Sequence, residues 1–196
     1  MFFRLRGKDF AVNAASRNRS GLRALTERAD ASGGLPPGLV GYLEGQPVGW
    51  VSLGPREDYE RLRHSTTLRP VDDRPVWSIV CFVVGRHSRG EGIAGALLDG
   101  AIAFARDRGA PALEAYPTAT DGARKPDASL YRGTLSMFEA RGFRTVGWSE
   151  PYGANAPRPI VRLELSRPAG KRPTRGATGC RRGPAKPSRR PVGMDK

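Results

Sequence analysis

The stretch Val76-Trp77-Ser78-Ile79-Val80-Cys81-Phe82-Val83-Val84, followed by Gly85-Arg86-His87-Ser88-Arg89-Gly90-Glu91-Gly92 and then Ile93-Ala94, decides the reading of this chain. Its first part is nearly continuously apolar and rich in β-branched and aromatic residues. That is the pattern of a central strand covered on both faces. From Ile93 apolar residues step by four through Leu97, Ala101 and Ala105, and Leu98 and Ile102 widen the stripe. The spacing predicts a helix to about Arg108, stopped by Gly109 and Pro111. Between strand and helix stand Arg89, Gly90 and Gly92. A helix N-terminus offers unpaired N–H groups and a partial positive charge. Glycines let a ligand come close to the backbone, and Arg89 can add charge-assisted hydrogen bonds. Together these make an anion site suited to phosphate.

Outward from this segment the pattern is mixed. Residues 2–6 suggest a short first strand, and Asn13 to Ala31 a helix ended by Gly33-Gly34 and Pro36-Pro37. Leu39–Leu43 and Val48–Leu53 read as two strands joined by the turn residues Glu44-Gly45-Gln46-Pro47, an antiparallel hairpin. A short helix is expected around Asp58–Arg63. Ala112–Tyr116, Phe143–Trp148 and Ile160–Leu165 read as strands, and Leu135–Arg141 as a short helix ended by Gly142. Strands alternate with helices around a mixed sheet, so the class is α/β or α+β.

The phosphate ligand is narrowed by what is absent. No Lys-Ser or Lys-Thr pair follows the glycines, which excludes the Walker pattern. Gly90, Gly92 and Gly95 satisfy the bare G-x-G-x-x-G spacing, but a dinucleotide fold wants this loop after its first strand and an acid at the end of its second. Glu114 instead lies in the middle of its short strand.

Arg89-Gly90-Glu91-Gly92-Ile93-Ala94 resembles R/Q-x-x-G-x-G/A, the acetyl-CoA pyrophosphate loop of the GNAT family of N-acetyltransferases. Val84 lies five residues before Arg89, where that family ends its central fourth strand. Downstream, Tyr131-Arg132-Gly133-Thr134-Leu135-Ser136-Met137-Phe138-Glu139-Ala140-Arg141-Gly142-Phe143 is similar to the family's second cofactor segment, N-x-x-A-x-x-x-Y-x-x-x-G-F. The resemblance covers roughly residues 1–166. It implies a GNAT-like acyl-CoA N-acyltransferase fold, a mixed, mostly antiparallel central sheet flanked by helices, whose fourth and fifth strands splay apart, with the pantetheine arm entering the gap. Phe82, Val83 and Val84 would bond the pantetheine, and Arg89, Gly90, Glu91, Gly92, Ile93 and Ala94 would hold the pyrophosphate. Acetyl-CoA would be the cosubstrate and a primary amine of a small molecule or peptide the acceptor, attacking the thioester directly. Family members often use a Tyr four residues before Gly-Phe as general acid; that position here is Phe138, which cannot donate a proton. Tyr131, Tyr116 or water are the alternatives. Glu114, a carboxylate among apolar neighbours, is the general-base candidate, with a structural ion pair as its other reading. Glu57, Asp58 and Glu60 could attract a cationic amine or simply form a solvated helix face.

Charge separates the domain from its end. The net charge is +14, but residues 167–196 hold ten Lys or Arg against one acid, whereas residues 31–166 hold sixteen against fifteen. The segment 167–196 is one-third Gly plus Pro and almost lacks large apolar residues, so it is expected to be disordered. It reads as a solvated basic extension or an electrostatic arm for polyanions; no aromatic interleaves with its charges, which weakens a single-strand stacking role. Two alternatives to an acetyltransferase therefore stand: a catalytically weak acyl-CoA-binding domain, prompted by Phe138, and a nucleic-acid-associated protein acting through its basic ends. Cys81 and Cys180 make a poor disulfide framework, and with only His64 and His87 a metal site is not expected. The opening Met1–Arg6 is too short and charged for a secretory signal, and no run is apolar enough to span a bilayer. A cytoplasmic protein is expected, and a homodimer is compatible with the resemblance.

Overall fold

The computed structural model describes residues 2–12, 15–120, 130–151, 153 and 156–165. Among the described residues six strands form one sheet: β1 (Leu39–Leu43), β2 (Gln46–Pro55), β3 (Trp77–Val84), β4 (Ala112–Ala115), β5 (Arg144–Trp148) and β6 (Pro159–Glu164), in the spatial order β1-β2-β3-β4-β6-β5. Every pairing is antiparallel except β3 with β4. The helices are α1 (Gly7–Val12), α2 (Ala15–Ser32), α3 (Glu60–Arg63), α4 (Ile93–Asp107) and α5 (Leu135–Glu139). No helix among the described residues is long and apolar enough to cross a membrane. The segment 167–196, for which disorder and polyanion contact are expected, lies outside the described residues.

The hairpin forms where the turn chemistry placed it. Leu43 pairs with Gln46, so Glu44 and Gly45 alone make the turn, with φ of 49° and 77°. Two successive positive φ values give the turn whose twist matches the strands.

Alternation breaks once in β3. Ser52 faces Cys81 and Leu53 faces Ile79, leaving Val80 as an extra residue. This bulge re-aims the side chains on its two sides. Before it, Trp77 and Ile79 pack on the α4 side; after it, Phe82 does so, while Val80 joins Phe3, Tyr59, Leu62 and Tyr116 on the opposite face. The far end of β3 is not covered on both sides as the sequence suggests: Val83 is 54% exposed.

α4 lies across the sheet with Leu97, Leu98, Ala101 and Ala105 buried, the predicted stripe. It sits close because Gly41 and Gly49 face each other across β1 and β2. A Cβ on Gly49 would lie 2.9 Å from Leu97 Cδ1, 3.0 Å from Ile93 Cγ2 and 3.1 Å from the Val83 carbonyl oxygen. Gly49→Ala is therefore expected to lower stability by about 1–3 kcal/mol through overpacking, measured by urea unfolding. A loss near zero would mean that α4 has room to retreat.

Residues 2–6 are not a strand. They form turns that bring Phe3 into the second core cluster, with Arg61 N–H donating to the Phe3 carbonyl at 3.1 Å. Phe2 packs edge-on against Phe3, Phe10 and Tyr131. Burying Phe3 and packing Phe2 against it through a turn satisfies the apolar pattern without a sheet partner.

Candidate functional site

β3 and β4 pair over only three residues, Trp77 to Ile79 against Leu113 to Ala115. β3 then runs on to Val84 while β4 ends, and the sheet splits. Tyr131 fills part of the split: its carbonyl accepts the Phe82 N–H at 2.6 Å. Gly133 follows with φ of 81°, and Thr118 N–H donates to its carbonyl at 2.9 Å. Beyond Tyr131 the edge of β3 faces a cleft of about 440 Å³ lined by Phe82, Val83, Val84, Ser88, Arg89, Gly90, Gly92, Ile93, Ala94, Leu130, Tyr131 and Gly133.

One end of this cleft is the start of α4. Gly92 is the N-cap, with φ of 77° and ψ of 2°, and no side chain caps the helix. The first intrahelical bond runs from Ala96 N–H to the Gly92 carbonyl at 3.1 Å. The N–H groups of Ile93 and Ala94 precede it, so they point forward without an intrahelical acceptor. Gly90 shares the left-handed backbone, with φ of 85°, and a Cβ built on either glycine would meet nothing within 4 Å. The glycines thus answer to backbone conformation, and the space before them is open. Arg89 Nε donates to the Val84 carbonyl at 3.4 Å, which ties the loop to the strand edge. This is the donor set a diphosphate needs: forward-pointing amides at a helix dipole, plus a guanidinium.

Of the residues predicted to hold cofactor, all but Glu91 line this one cleft. Phe82 differs in one respect: Tyr131 already takes its N–H, so its ring forms wall while the remaining edge of β3 faces the cleft. That capture joins residues far apart in the chain, and no local pattern signals it.

The catalytic candidates separate. Tyr131 lines the cleft, and its hydroxyl accepts from Arg132 Nε at 2.9 Å. Glu114 is 2% exposed and does not line the cleft; Arg162 Nη2 donates to its Oε1 at 3.2 Å. Burial raises its carboxyl above the ordinary range, opposed by Arg162. Arg162 in turn donates to both oxygens of Asp72, at 2.7 and 2.9 Å, and holds that carboxyl low. Tyr116 is also buried away from the cleft, within 3.0 Å of Ser78 Oγ, and burial pushes its phenol up to about 12. Phe138 is fully buried between Phe82 and Phe143, at ring distances of 6.1 and 5.0 Å. Cys81 is half-buried and burial raises its thiol, as suits a core position. Glu60 is shared by Arg63, at 2.7 Å, and His64, at 3.2 Å. Among the described residues no three His, Cys, Asp or Glu side chains cluster as metal ligands.

The model of the acetyltransferase (GNAT) family matches residues 6–133. No curated protein matches the chain in sequence. Among solved structures, a GNAT-family protein from Desulfovibrio desulfuricans aligns at 18% identity with a TM-score of 0.51, covering 81% of this chain and 87% of that one. An acetyltransferase aligns at 19% identity with a TM-score of 0.52, covering 80% and 84%. A ribosomal-protein-alanine N-acetyltransferase from Brucella melitensis aligns at 26% identity with a TM-score of 0.46, covering 76% and 77%. The first two likenesses show a shared fold.

Proposed function

The chain belongs to the GNAT family of acetyltransferases, and from that premise we propose that it moves an acetyl group from acetyl-CoA to a primary amine of a small molecule or peptide. The observation that carries this reading is the convergence of the uncapped α4 N-terminus, two left-handed glycines, Arg89 and the split edge of β3 on one cleft. Residues 1–166 form the catalytic domain in this reading, and 167–196 a separate basic extension.

When bound, acetyl-CoA supplies a thioester, an acyl donor whose thiol has a reference pKa of about 8.5. Gly90, Gly92, Ile93 and Ala94 offer N–H groups to its diphosphate, and Arg89 adds charge. The exposed edge of β3 at Val83 and Val84 aligns the arm that leads to the thioester. The attacking amine nitrogen gains the acetyl carbon as the carbon–sulfur bond breaks, and the proton the amine gives up balances the one the thiolate takes. Tyr131 is the proposed acid for that sulfur. Arg132 donates to its oxygen, so the hydroxyl hydrogen is available to another acceptor. Glu114 is assigned to the ion pair with Arg162, because it lies outside the cleft and its carboxylate is already engaged. Water then carries the amine proton away.

The experiment is thiol release from acetyl-CoA across an amine panel. Tyr131→Phe is expected to lower kcat by about 10²-fold or more while acetyl-CoA affinity stays within a few-fold. Unchanged kcat would remove Tyr131 from the chemistry. A second reading, binding of acyl-CoA without turnover, is favoured by the burial of Phe138 where an acid often stands. Tight coenzyme A binding with no thiol release from any amine would select it.

A further inference from the structure

Arg132 marks the side of Tyr131 away from the α4 loop. Its guanidinium lies over the rings of Phe3 and Tyr131, each 5.3 Å from the ring centre. Two hollows share it as a wall. One of about 170 Å³ is bounded by Thr67, Ser149, Glu150 and Arg158; the other, of about 550 Å³, runs along α3 to Phe3. Arg132 and Tyr131 are chain neighbours joined by a hydrogen bond, so the hollows adjoin the cofactor cleft at the residue proposed to meet the thioester.

The smaller hollow is flanked by two guanidinium groups, those of Arg132 and Arg158. Arg158 is half-buried and donates from Nη1 to Thr118 Oγ1 at 3.3 Å. Among the described residues no carboxylate pairs with Arg132 or Arg158. Other arginines here do have such partners: Arg141 grips Asp99 and Arg162 grips Asp72. Glu150 lines the hollow, but its side chain is exposed. Burial and the neighbouring Arg132 both disfavour the charge on Arg158. Two guanidinium groups held against one hollow are mutually destabilising until an anion sits between them, and their planar forks match carboxylate or phosphate.

We propose that Arg132 and Arg158 hold an anionic group of the acceptor, so that the substrates are amines that also carry a carboxylate or phosphate. This rests on the acetyl-transfer reading and narrows it. The apolar rings beneath Arg132 would pack the stem between the anion and the amine.

The test is thiol release with the twenty amino acids against their amides, and with phosphoethanolamine against ethanolamine, beside a calorimetric titration of coenzyme A. At least one anionic amine is expected to exceed its neutral partner by about 10- to 100-fold in kcat/KM. The carboxylate and phosphate arms show which anion is taken. In Arg158→Gln the preference is expected to collapse through KM, with kcat and coenzyme A affinity little changed. Neutral amines used as well as anionic ones would overturn the proposal. So would coenzyme A binding with no anionic amine accepted. Failure to bind coenzyme A at all would instead strike the acetyl-transfer reading on which it rests, and the proposal with it.

Discussion

Replacing Gly92 with glutamate is expected to abolish coenzyme A binding while leaving the chain folded. The backbone there is left-handed, with φ of 77°, so any side chain costs about 1–2 kcal/mol. A Cβ at Gly92 would meet nothing within 4 Å, so no clash adds to that strain. A negative charge at the first turn of α4 even interacts favourably with the empty helix terminus. The conflict arises only when a diphosphate arrives, because like charges brought together cost several kcal/mol. Affinity is expected to fall by about 100-fold or more, measured by calorimetry, with the far-ultraviolet spectrum unchanged. Gly92→Ala carries the strain without the charge and should lose much less. Equal losses in the two variants would mean that backbone geometry, and not phosphate contact, governs the site.

The second large effect is expected at Arg162. Its side chain is 5% exposed, and the side chain of Glu114 beside it 3%. Removing one partner of a buried ion pair strands the other charge. Arg162→Leu is expected to cost about 3–5 kcal/mol in urea unfolding at neutral pH. Glu114→Gln added to it should recover more than half. The pH dependence has its origin in Glu114. Burial already holds its carboxyl above the usual range, and Arg162 pulls it down. Without Arg162 the folded state binds the proton more tightly than the unfolded state does. The variant therefore loses stability as pH rises from the unfolded carboxyl value to the folded one, and suffers least in acid. Glu114→Gln alone also decides its role. Activity within a few-fold of the parent supports the ion pair. A loss of about 10²–10⁴-fold in kcat would make it a general base after all.

What the sequence conveys depends on how local the cause is. α4 was legible because four apolar residues at one spacing settle both the helix and its buried face. The hairpin was legible because turn residues separate two apolar runs, although the turn takes only Glu44 and Gly45 and the second strand already begins at Gln46. The open start of α4 was legible because glycines at fixed offsets from a strand end constrain backbone directly. Residues 2–6 misled because so short an apolar pattern fits a strand or a buried turn equally. The continuous run in β3 hid the bulge at Val80, since both faces there are apolar before and after the slip. Glu114 was ambiguous for a different reason: its partner Arg162 stands opposite it across β4 and β6, and that register is set by the whole sheet. Arg132 and Arg158 showed nothing in sequence, because having no carboxylate partner among the described residues is a property of folded neighbours alone.

The sharpest measurement is a coenzyme A titration followed residue by residue through the backbone amide signals. Saturable binding is expected, with the largest shifts at Gly90, Gly92, Ile93 and Ala94 and smaller ones along Val83 and Val84. Saturable binding that leaves those four amides unmoved, or no binding at millimolar ligand, would contradict a diphosphate held at the start of α4.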